Sequence, residues 1–381
     1  MAAIDPRVSF IVPCYKLAHL LPECVNSILT QSFQDFEILI MDDCSPDNTQ
    51  QVATSFEDSR IRYVRNEKNL GHLRNYNKGI HLTRGRYLWL ISADDYLRRP
   101  YVLEHYVRML NEHPKIGYVF CPGVKVINGK EQQVIGYSCH GGKNAIFNGH
   151  KFLSKLVMEN TIVAASGCAR KECYEKVSEF PLDMPWGGDW YLWGLFAFYY
   201  DVGYLAEPMV CYREHGLSMT SRLMKEDIAQ CSSEDIAMPW IFKRKAEEFG
   251  DERLVRTCLE SAAREYGRCF ADRRYKGGGV ELTLEQFEAS LRRNTPREAE
   301  RDFVRARVYG FIADSYYWRG QHSQASQLYA KCLQKDFWRP KVWAKRLLLS
   351  TGLLGRALRG FRSSLIRRFS RDSSAAPRVK L

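Results

Sequence analysis

Short apolar runs alternate with helical patterns through the first 91 residues, and this alternation limits the fold more than any other feature. The apolar runs lie at residues 8–12, 36–41, 61–64 and 87–91. Between them, apolar residues recur at intervals of three or four, as on the buried face of a helix. Strands and helices in this order form βαβ units around a parallel sheet. The sequence therefore predicts an α/β fold with a mostly parallel sheet flanked by helices.

Polar clusters follow three of these apolar runs, at the points where the predicted strands end. The clusters are residues 13–15, 42–45 and 92–95. Ligands of parallel sheets bind beyond the carboxyl ends of the strands. Each cluster alone is compatible with an ordinary loop, helix cap or packing residue. Their recurrence at successive strand ends predicts a binding site at that edge of the sheet.

Asp94 and Asp95 form a carboxylate pair directly after the apolar run 87–91. Adjacent carboxylates at the end of a buried strand are costly to desolvate unless a cation neutralises them. A divalent metal, Mg or Mn, that also holds phosphate groups would do so. The alternative for the pair taken alone is a solvated turn.

The segment 186–190 reads Trp-Gly-Gly-Asp-Trp and begins an apolar, aromatic stretch. Two glycines allow a tight turn into a helix that starts at about Asp189. The carboxylate of Asp189 would then project from a helix amino terminus, with an ordinary N-cap as the alternative. At about ten residues the apolar stretch is too short to cross a membrane. We expect a buried core helix rather than an anchor or a groove for a lipid acceptor.

Several stretches together resemble family-two glycosyltransferases of the GT-A fold, which is Rossmann-like. The stretches read VSFIVPCY, SILTQSFQDFEILIMDDCSPDNT, NLG and GRYLWLISADD. The resemblance covers about residues 8–221 and implies a nucleotide-sugar donor, a divalent metal and a carbohydrate or lipid-linked acceptor. It implies transfer by a single displacement, with inversion at the anomeric carbon. Bacterial surface polysaccharide synthesis is the setting that it favours.

The resemblance also assigns roles to individual residues. Asp43 would bind the nucleotide base, and Asp189 would be the catalytic base that takes the acceptor proton. Asp94 would bind the metal, with support from Asp95. His215 would reach the metal or a phosphate, and a structural loop histidine is the alternative. The remaining candidates would bind the donor nucleotide and are Pro13, Tyr15, Asp42, Asn77, Ser92 and Ala93.

Two positions depart from the family pattern. Ser92 occupies the first position of the Asp-x-Asp signature, where the family commonly has an acid. Asn75-Tyr76-Asn77 stands where the family often has Ala-Arg-Asn. A scaffold protein with a degenerate transferase domain is therefore an alternative, although the retained Asp189 argues against it. A nucleotidyltransferase is a weaker alternative, because no glycine-rich basic loop follows the first apolar run.

The chain changes character at about residue 222, where helical and charge-rich sequence begins. Residues 305–336 resemble one tetratricopeptide repeat, which cannot bury its own apolar face and must pack on neighbouring helices or a partner. We expect a catalytic domain over 1–221, a helical domain over 222–340 and a tail over 341–381. A homo-oligomer is compatible with the repeat.

The net charge of +12 lies almost wholly in the carboxyl-terminal part of the chain. Residues 338–381 carry twelve Lys or Arg and one acid. Residues 341–371 combine nine basic residues with apolar residues on one helical face, which indicates a helix on an anionic bilayer. The alternative is a solvated helix packed on the domain. Nucleic-acid binding is disfavoured, because stacking aromatics and known modules are missing.

The sequence also favours a cytoplasmic location, on the inner face of the cell membrane. The twelve cysteines contain no CxxC pair, and residues 1–7 contain no apolar leader. Such cysteines are typical of reduced thiols in a reducing compartment.

Overall fold

The computed structural model describes residues 5–136, 142–271 and 282–350. Its strands are β1 (Val8–Cys14), β2 (Phe36–Asp42), β3 (Ile61–Arg65), β4 (Tyr87–Leu90), β5 (Tyr96–Leu97), β6 (Ile116–Phe120), β7 (Gly123–Ile127), β8 (Lys130–Ile135), β9 (Ala145–Phe147), β10 (Cys168–Arg170), β11 (Asp201–Tyr204) and β12 (Val210–Arg213). Its helices are α1 (Leu21–Leu29), α2 (Thr49–Thr54), α3 (His72–Leu82), α4 (Val102–Glu112), α5 (Gly149–Leu156), α6 (Lys171–Val177), α7 (Gly188–Tyr199), α8 (Met219–Glu226), α9 (Ile228–Glu248), α10 (Glu252–Ala271), α11 (Leu284–Asn294), α12 (Glu298–Trp318), α13 (His322–Lys335) and α14 (Pro340–Ser350).

The main sheet has eight strands in the order β3-β2-β1-β4-β10-β6-β11-β9. Strands β3, β2, β1 and β4 are mutually parallel, whereas β10 runs antiparallel to both of its neighbours. Every residue of β1 and β2 is buried, as expected for strands covered by helices on both faces. The predicted α/β fold with a mostly parallel sheet is confirmed.

A second, smaller sheet has the order β5-β12-β7-β8. Strand β12 pairs with β5 in the antiparallel sense and with β7 in the parallel sense. Strand β5 begins directly after Asp95. Because β12 pairs with β5, this sheet brings residues 210–213 beside the Asp94–Asp95 pair. The small sheet thus joins two segments that contribute to the candidate site.

Helix α7 is buried along most of its length, as the sequence predicts. It carries Gly194, where an added Cβ would lie 2.2 Å from the ring of Phe242 in α9. Only glycine therefore permits this close approach of the two helices. Among the described residues, no helix is long and apolar enough to cross a membrane.

The chain divides into two compact units, which meet in sequence between Cys258 and Leu259. The first contains both sheets, and the predicted boundary at 221/222 falls inside it. In the second, α12 and α13 form a helical pair around a buried cluster that includes Ala313, Ala325 and Tyr329. This pair spans the region of the predicted repeat, and the carboxyl-terminal region is helical as predicted. Residues 351–381 of the predicted tail lie outside the described residues.

The described cysteines form no disulfide, and most are buried. Burial raises the pKa of the Cys14 thiol to about 12, so it stays protonated at neutral pH. These cysteines act as small core residues.

Candidate functional site

Three loops meet at the carboxyl edge of the main sheet. Strand β1 pairs in parallel with β2 and with β4, so all three strands end on the same side. The Asp43 amide donates to the Cys14 carbonyl at 3.0 Å, and the Ala93 amide donates to the Pro13 carbonyl at 3.1 Å. The polar clusters predicted at these strand ends therefore form one continuous edge. Tyr15 is partly exposed beside them.

Asp43 is buried and holds a loop that precedes α3. Its Oδ1 accepts bonds from Asn66 Nδ2 at 2.9 Å and from the Leu70 amide at 2.7 Å. Its Oδ2 accepts the Gly71 amide at 3.0 Å. A carboxylate has about four acceptor positions, so Oδ2 retains capacity for one further donor.

Asp42 is fully buried and bound by protein groups. Its Oδ2 accepts bonds from the Tyr63 hydroxyl and from Arg65 Nη1, both at 2.6 Å. Its Oδ1 accepts the Ser45 amide at 2.8 Å. Burial and, to a smaller extent, the hydrogen bond to Asp42 raise the pKa of Tyr63 to about 12. Asp42 thus fixes the loop beside Asp43.

Asp94 and Asp95 are both buried at the end of β4. Asp94 Oδ2 lies 2.9 Å from His215 Nε2, so the predicted metal-binding pair is in contact. Asp95 Oδ1 accepts the Arg213 amide at 2.8 Å, and Arg213 Nη1 donates to the Asp94 carbonyl at 2.8 Å. Burial, and then the charge of Asp94, raise the pKa of Asp95 well above its ordinary value. A cation at this position would relieve that cost.

The donor set at Asp94 and His215 suits a divalent metal held jointly with a ligand. Among the described residues, no group of three or more His, Cys, Asp or Glu side chains is arranged to hold a metal ion by itself. Mg²⁺ in phosphate-transfer sites is typically bound by one or two carboxylates plus substrate phosphates and water. An imidazole beside a carboxylate also accommodates Mn²⁺. The residues therefore fit a metal that arrives with a diphosphate.

Asp189 lies in the first turn of α7 and is partly exposed. Its Oδ1 accepts the Trp190 amide at 2.6 Å, and Asn160 Nδ2 lies 3.4 Å from both carboxylate oxygens. Burial raises its pKa from 3.8 to about 6, and these hydrogen bonds oppose the rise. At neutral pH the carboxylate is ionised yet basic enough to accept a proton.

Tyr76 and Tyr212 lie close enough to Asp94, Asp95 and Asp189 for the charges of all three to act on them. Burial raises the pKa of both, and the charges of all three carboxylates raise it further. The pKa of Tyr212 is raised to about 12, and the pKa of Tyr76 is raised as well. The hydroxyl of Tyr212 lies 3.0 Å from Thr220 Oγ1. Both phenols stay neutral and border the space near the carboxylates.

The other predicted nucleotide-binding residues have mixed surroundings. The amide of Asn77 is engaged by Phe180, since Nδ2 donates to the carbonyl and Oδ1 accepts the amide. This places Asn77 in a structural role that joins α3 to the loop before α7. Ala93 is buried, while Ser92 is partly exposed and its carbonyl accepts the Asp95 amide at 2.9 Å.

Sequence reasoning missed three residues that organise the site: Asn66, Arg213 and Glu234. Asn66 bridges Asp43 and Asn75 at 2.9 Å each, and Lys78 Nζ donates to it at 2.7 Å. Arg213 could have been suspected, because it lies two residues before His215. Glu234 lies in the charge-rich helix α9, and nothing in the neighbouring sequence distinguishes it from the other acidic residues there.

Comparison with known proteins identifies the first part of the chain. The sequence model described as glycosyl transferase family 2 matches residues 9–169. Residues 9–169 are therefore similar to glycosyl transferase family 2 and are called the family-two region below. The resemblance stated from the sequence is confirmed, and the matched region runs from β1 into β10.

Curated relatives that match this region include glycosyltransferases of bacteria. Glycosyltransferase GlyG of Streptococcus pneumoniae is 34% identical over 93 residues, 24% of this chain and 31% of that protein. An uncharacterized glycosyltransferase of Rickettsia typhi is 25% identical over 228 residues, 58% of this chain and 68% of that protein. The chain spans about a third or less of the length of the first curated relatives that it matches.

The fold extends beyond the family-two region in a solved structure. The S. aureus TarS fragment 1–349, crystallised in complex with UDP-GlcNAc, superposes with a TM-score of 0.58 and 16% identity. The superposition covers 86% of this chain and 89% of that fragment. At this identity the likeness shows the GT-A fold alone.

Proposed function

We propose that the protein transfers a sugar from a nucleoside diphosphate donor to a hydroxyl group of a carbohydrate or lipid-linked acceptor. The observation that carries the proposal is the contact of Asp94 with His215 at 2.9 Å, together with an Asp189 whose charge acts on the same two tyrosines as those of Asp94 and Asp95. The similarity of residues 9–169 to glycosyl transferase family 2 supports it.

The donor nucleotide would bind along the carboxyl edge of β1, β2 and β4. The spare acceptor position of Asp43 Oδ2 suits a ring N–H of a uracil, thymine or guanine base. Pro13 and Tyr15 lie on the adjacent loop and would contact the base. The backbone at Ser92 and Ala93 would lie beside the ribose and the diphosphate.

Asp94 and His215 would hold a divalent metal together with the donor's diphosphate, and Asp95 would support them. The metal supplies positive charge that stabilises the departing nucleoside diphosphate. Arg213 bonds the carbonyl of Asp94 and the carboxylate of Asp95, so the loop that carries Asp94 is held in place before the donor arrives.

Asp189 would accept the proton of the acceptor hydroxyl as its oxygen attacks the anomeric carbon. A pKa of about 6 keeps the base ionised at neutral pH and favours proton transfer. Attack opposite to the leaving diphosphate inverts the anomeric carbon.

Release of nucleoside diphosphate from a panel of UDP-, GDP- and dTDP-sugars tests the proposal. Wild type should turn over a member of the panel when a divalent metal is supplied. Asp94→Asn and Asp189→Asn should each lower kcat by about 100-fold or more, since each removes a charged group from the reaction. Full turnover by both variants, or none by wild type with any donor, contradicts the proposal. A scaffold protein would also bind none of UDP, GDP and dTDP.

We also propose peripheral attachment to an anionic membrane surface through residues 341–371, in the cytoplasm. The described part of this segment, α14, carries the exposed Leu347 and Trp343, and Trp338 before it is 88% exposed. Tryptophan and basic residues together favour the bilayer interface. Truncation after Pro340 should release the protein from anionic liposomes. Unchanged co-sedimentation of the truncated protein at moderate salt contradicts attachment through this segment.

A further inference from the structure

Helix α9 contacts the turn that carries Asp189. Glu234 Oε2 accepts the Trp186 amide at 2.9 Å and the Gly187 amide at 2.6 Å. The neighbouring Asp235 accepts the indole N–H of Trp186 at 3.2 Å. Two consecutive side chains of α9 therefore hold the two residues that precede α7.

Glu234 is 3% exposed, and hydrogen bonds offset the cost of burying its carboxylate. Besides the two amides, Gln230 Nε2 donates to Oε1 at 2.9 Å. Buried charges persist only where such bonds replace water. Amides that precede a helix also have no partner within the helix, so an acceptor there fixes the direction in which the helix begins.

The glycines of the turn fit this arrangement. A Cβ at Gly187 would lie 3.0 Å from Met238 Cε and 3.5 Å from Glu234 Oε2, so α9 packs directly against the backbone. A Cβ at Gly188 would lie 3.2 Å from Phe180. The turn is thus confined on two sides, and Asp189 follows it immediately.

We propose that Glu234 is a positioning residue, which orients Asp189 for proton abstraction by holding the amides of Trp186 and Gly187. This rests on the proposed function, because it assigns Asp189 the role of base. Glu234 touches the backbone two residues before Asp189, and no contact with a reacting group is needed. Displacing a reacting group by about 1 Å costs about 100-fold in rate.

Steady-state kinetics with the donor that is turned over, on the full chain, test the role. Glu234→Ala should lower kcat by about 10- to 100-fold, with the donor KM within about 3-fold of wild type. Glu234→Gln keeps an oxygen that accepts both amides, so its kcat should stay within about 3-fold. Loss of activity in Glu234→Gln equal to that in Glu234→Ala would overturn the proposal, as would full kcat in Glu234→Ala.

Glu37→Ala is the matched control, because Glu37 is also a buried glutamate of the first unit. It lies near the start of β2, at the opposite end from Asp42, and bonds Ser9 and Arg84. The kcat of the Glu37→Ala variant, per folded molecule, should equal that of wild type. An equal loss of kcat in Glu37→Ala would reduce the Glu234 effect to general destabilisation and overturn the positioning role.

A double variant separates positioning from other effects. If Glu234 acts through Asp189, then Glu234→Ala should change the residual rate of Asp189→Asn by less than about 3-fold. If Glu234→Ala lowers the rate of Asp189→Asn by as much as it lowers the rate of wild type, Glu234 does not act through Asp189. If Asp189→Asn itself retains wild-type kcat, the proposed function fails instead.

Hydrogen exchange gives a readout that needs no donor. The amides of Trp186 and Gly187 should exchange at least about tenfold faster in Glu234→Ala than in wild type, because they lose their acceptor. In Glu234→Gln and Glu37→Ala their exchange should match wild type. Unchanged protection in Glu234→Ala would show that Glu234 does not hold the turn, and would overturn the proposal whatever the kinetics give.

Discussion

The raised pKa of Asp189 predicts that this carboxylate destabilises the fold, and that Asp189→Asn stabilises it at pH 8. In the unfolded chain the carboxyl group loses its proton near 3.8, whereas in the folded protein it does so near 6. Between these values the folded state binds more protons, so stability falls as pH rises through this window and stays lower above it. Asparagine has no charge to desolvate and removes the effect.

The magnitude follows from the size of the shift. A rise of about two pKa units corresponds to about 3 kcal/mol at about 1.4 kcal/mol per unit. Because Asp189 is partly exposed, solvent screening reduces this, and we expect about 1–2 kcal/mol at pH 8. At pH 4.5 about a third of the difference should remain, since most of the titration lies above that pH.

Urea unfolding of wild type and Asp189→Asn at pH 8 and pH 4.5 measures both values. Asp58→Asn is the control of opposite sign, because its bonds from Arg60 lower the pKa of Asp58. That variant should be less stable than wild type at pH 8, with a smaller loss at low pH. A free energy of unfolding for Asp189→Asn that equals or falls below that of wild type at pH 8, or a gain independent of pH, would contradict a raised pKa of Asp189.

Three further predictions concern the metal, the base and the core. His215→Ala and Asp94→Asn should each weaken the affinity for UDP or GDP, measured by calorimetry with Mn²⁺, by about tenfold or more. Their affinity measured with EDTA should match that of wild type, and an equal loss in both conditions contradicts metal ligation. The kcat/KM of the wild type should fall below a midpoint near pH 6, as Asp189 takes up a proton, and a flat profile to pH 5 excludes it as the base. Gly194→Ala should cost about 1–3 kcal/mol in thermal unfolding, because its Cβ would lie 2.2 Å from Phe242, and an unchanged Tm contradicts the close packing.

The elements of the first 91 residues were predictable because their patterns are local. Apolar runs and helical spacing predict β1 to β4 and the helices between them, and parallel pairing places their polar ends together. The buried helix α7 was predictable for the same reason. Such features depend on neighbours in sequence, which the sequence displays directly.

Contacts between distant segments were not predictable from the pattern. Arg213 reaches Asp95 because β12 pairs with β5, and the sequence does not specify that pairing. Glu234 reaches Gly187 only because α9 packs against the turn before α7. Asn77 is another case, since its amide bonds Phe180, which lies 103 residues further along the chain, and its nucleotide-binding role stays a prediction. The assigned roles of Asp43, Asp94, Asp189 and His215 stay predictions.

An anomalous-scattering map from crystals grown with Mn²⁺ and a nucleoside diphosphate would locate both the metal and the nucleotide. We expect one manganese peak in contact with Asp94 and His215, with the diphosphate on the same ion and the base beside Asp43. A nucleotide bound elsewhere, or a manganese ion that touches neither Asp94 nor His215, would contradict the proposed function.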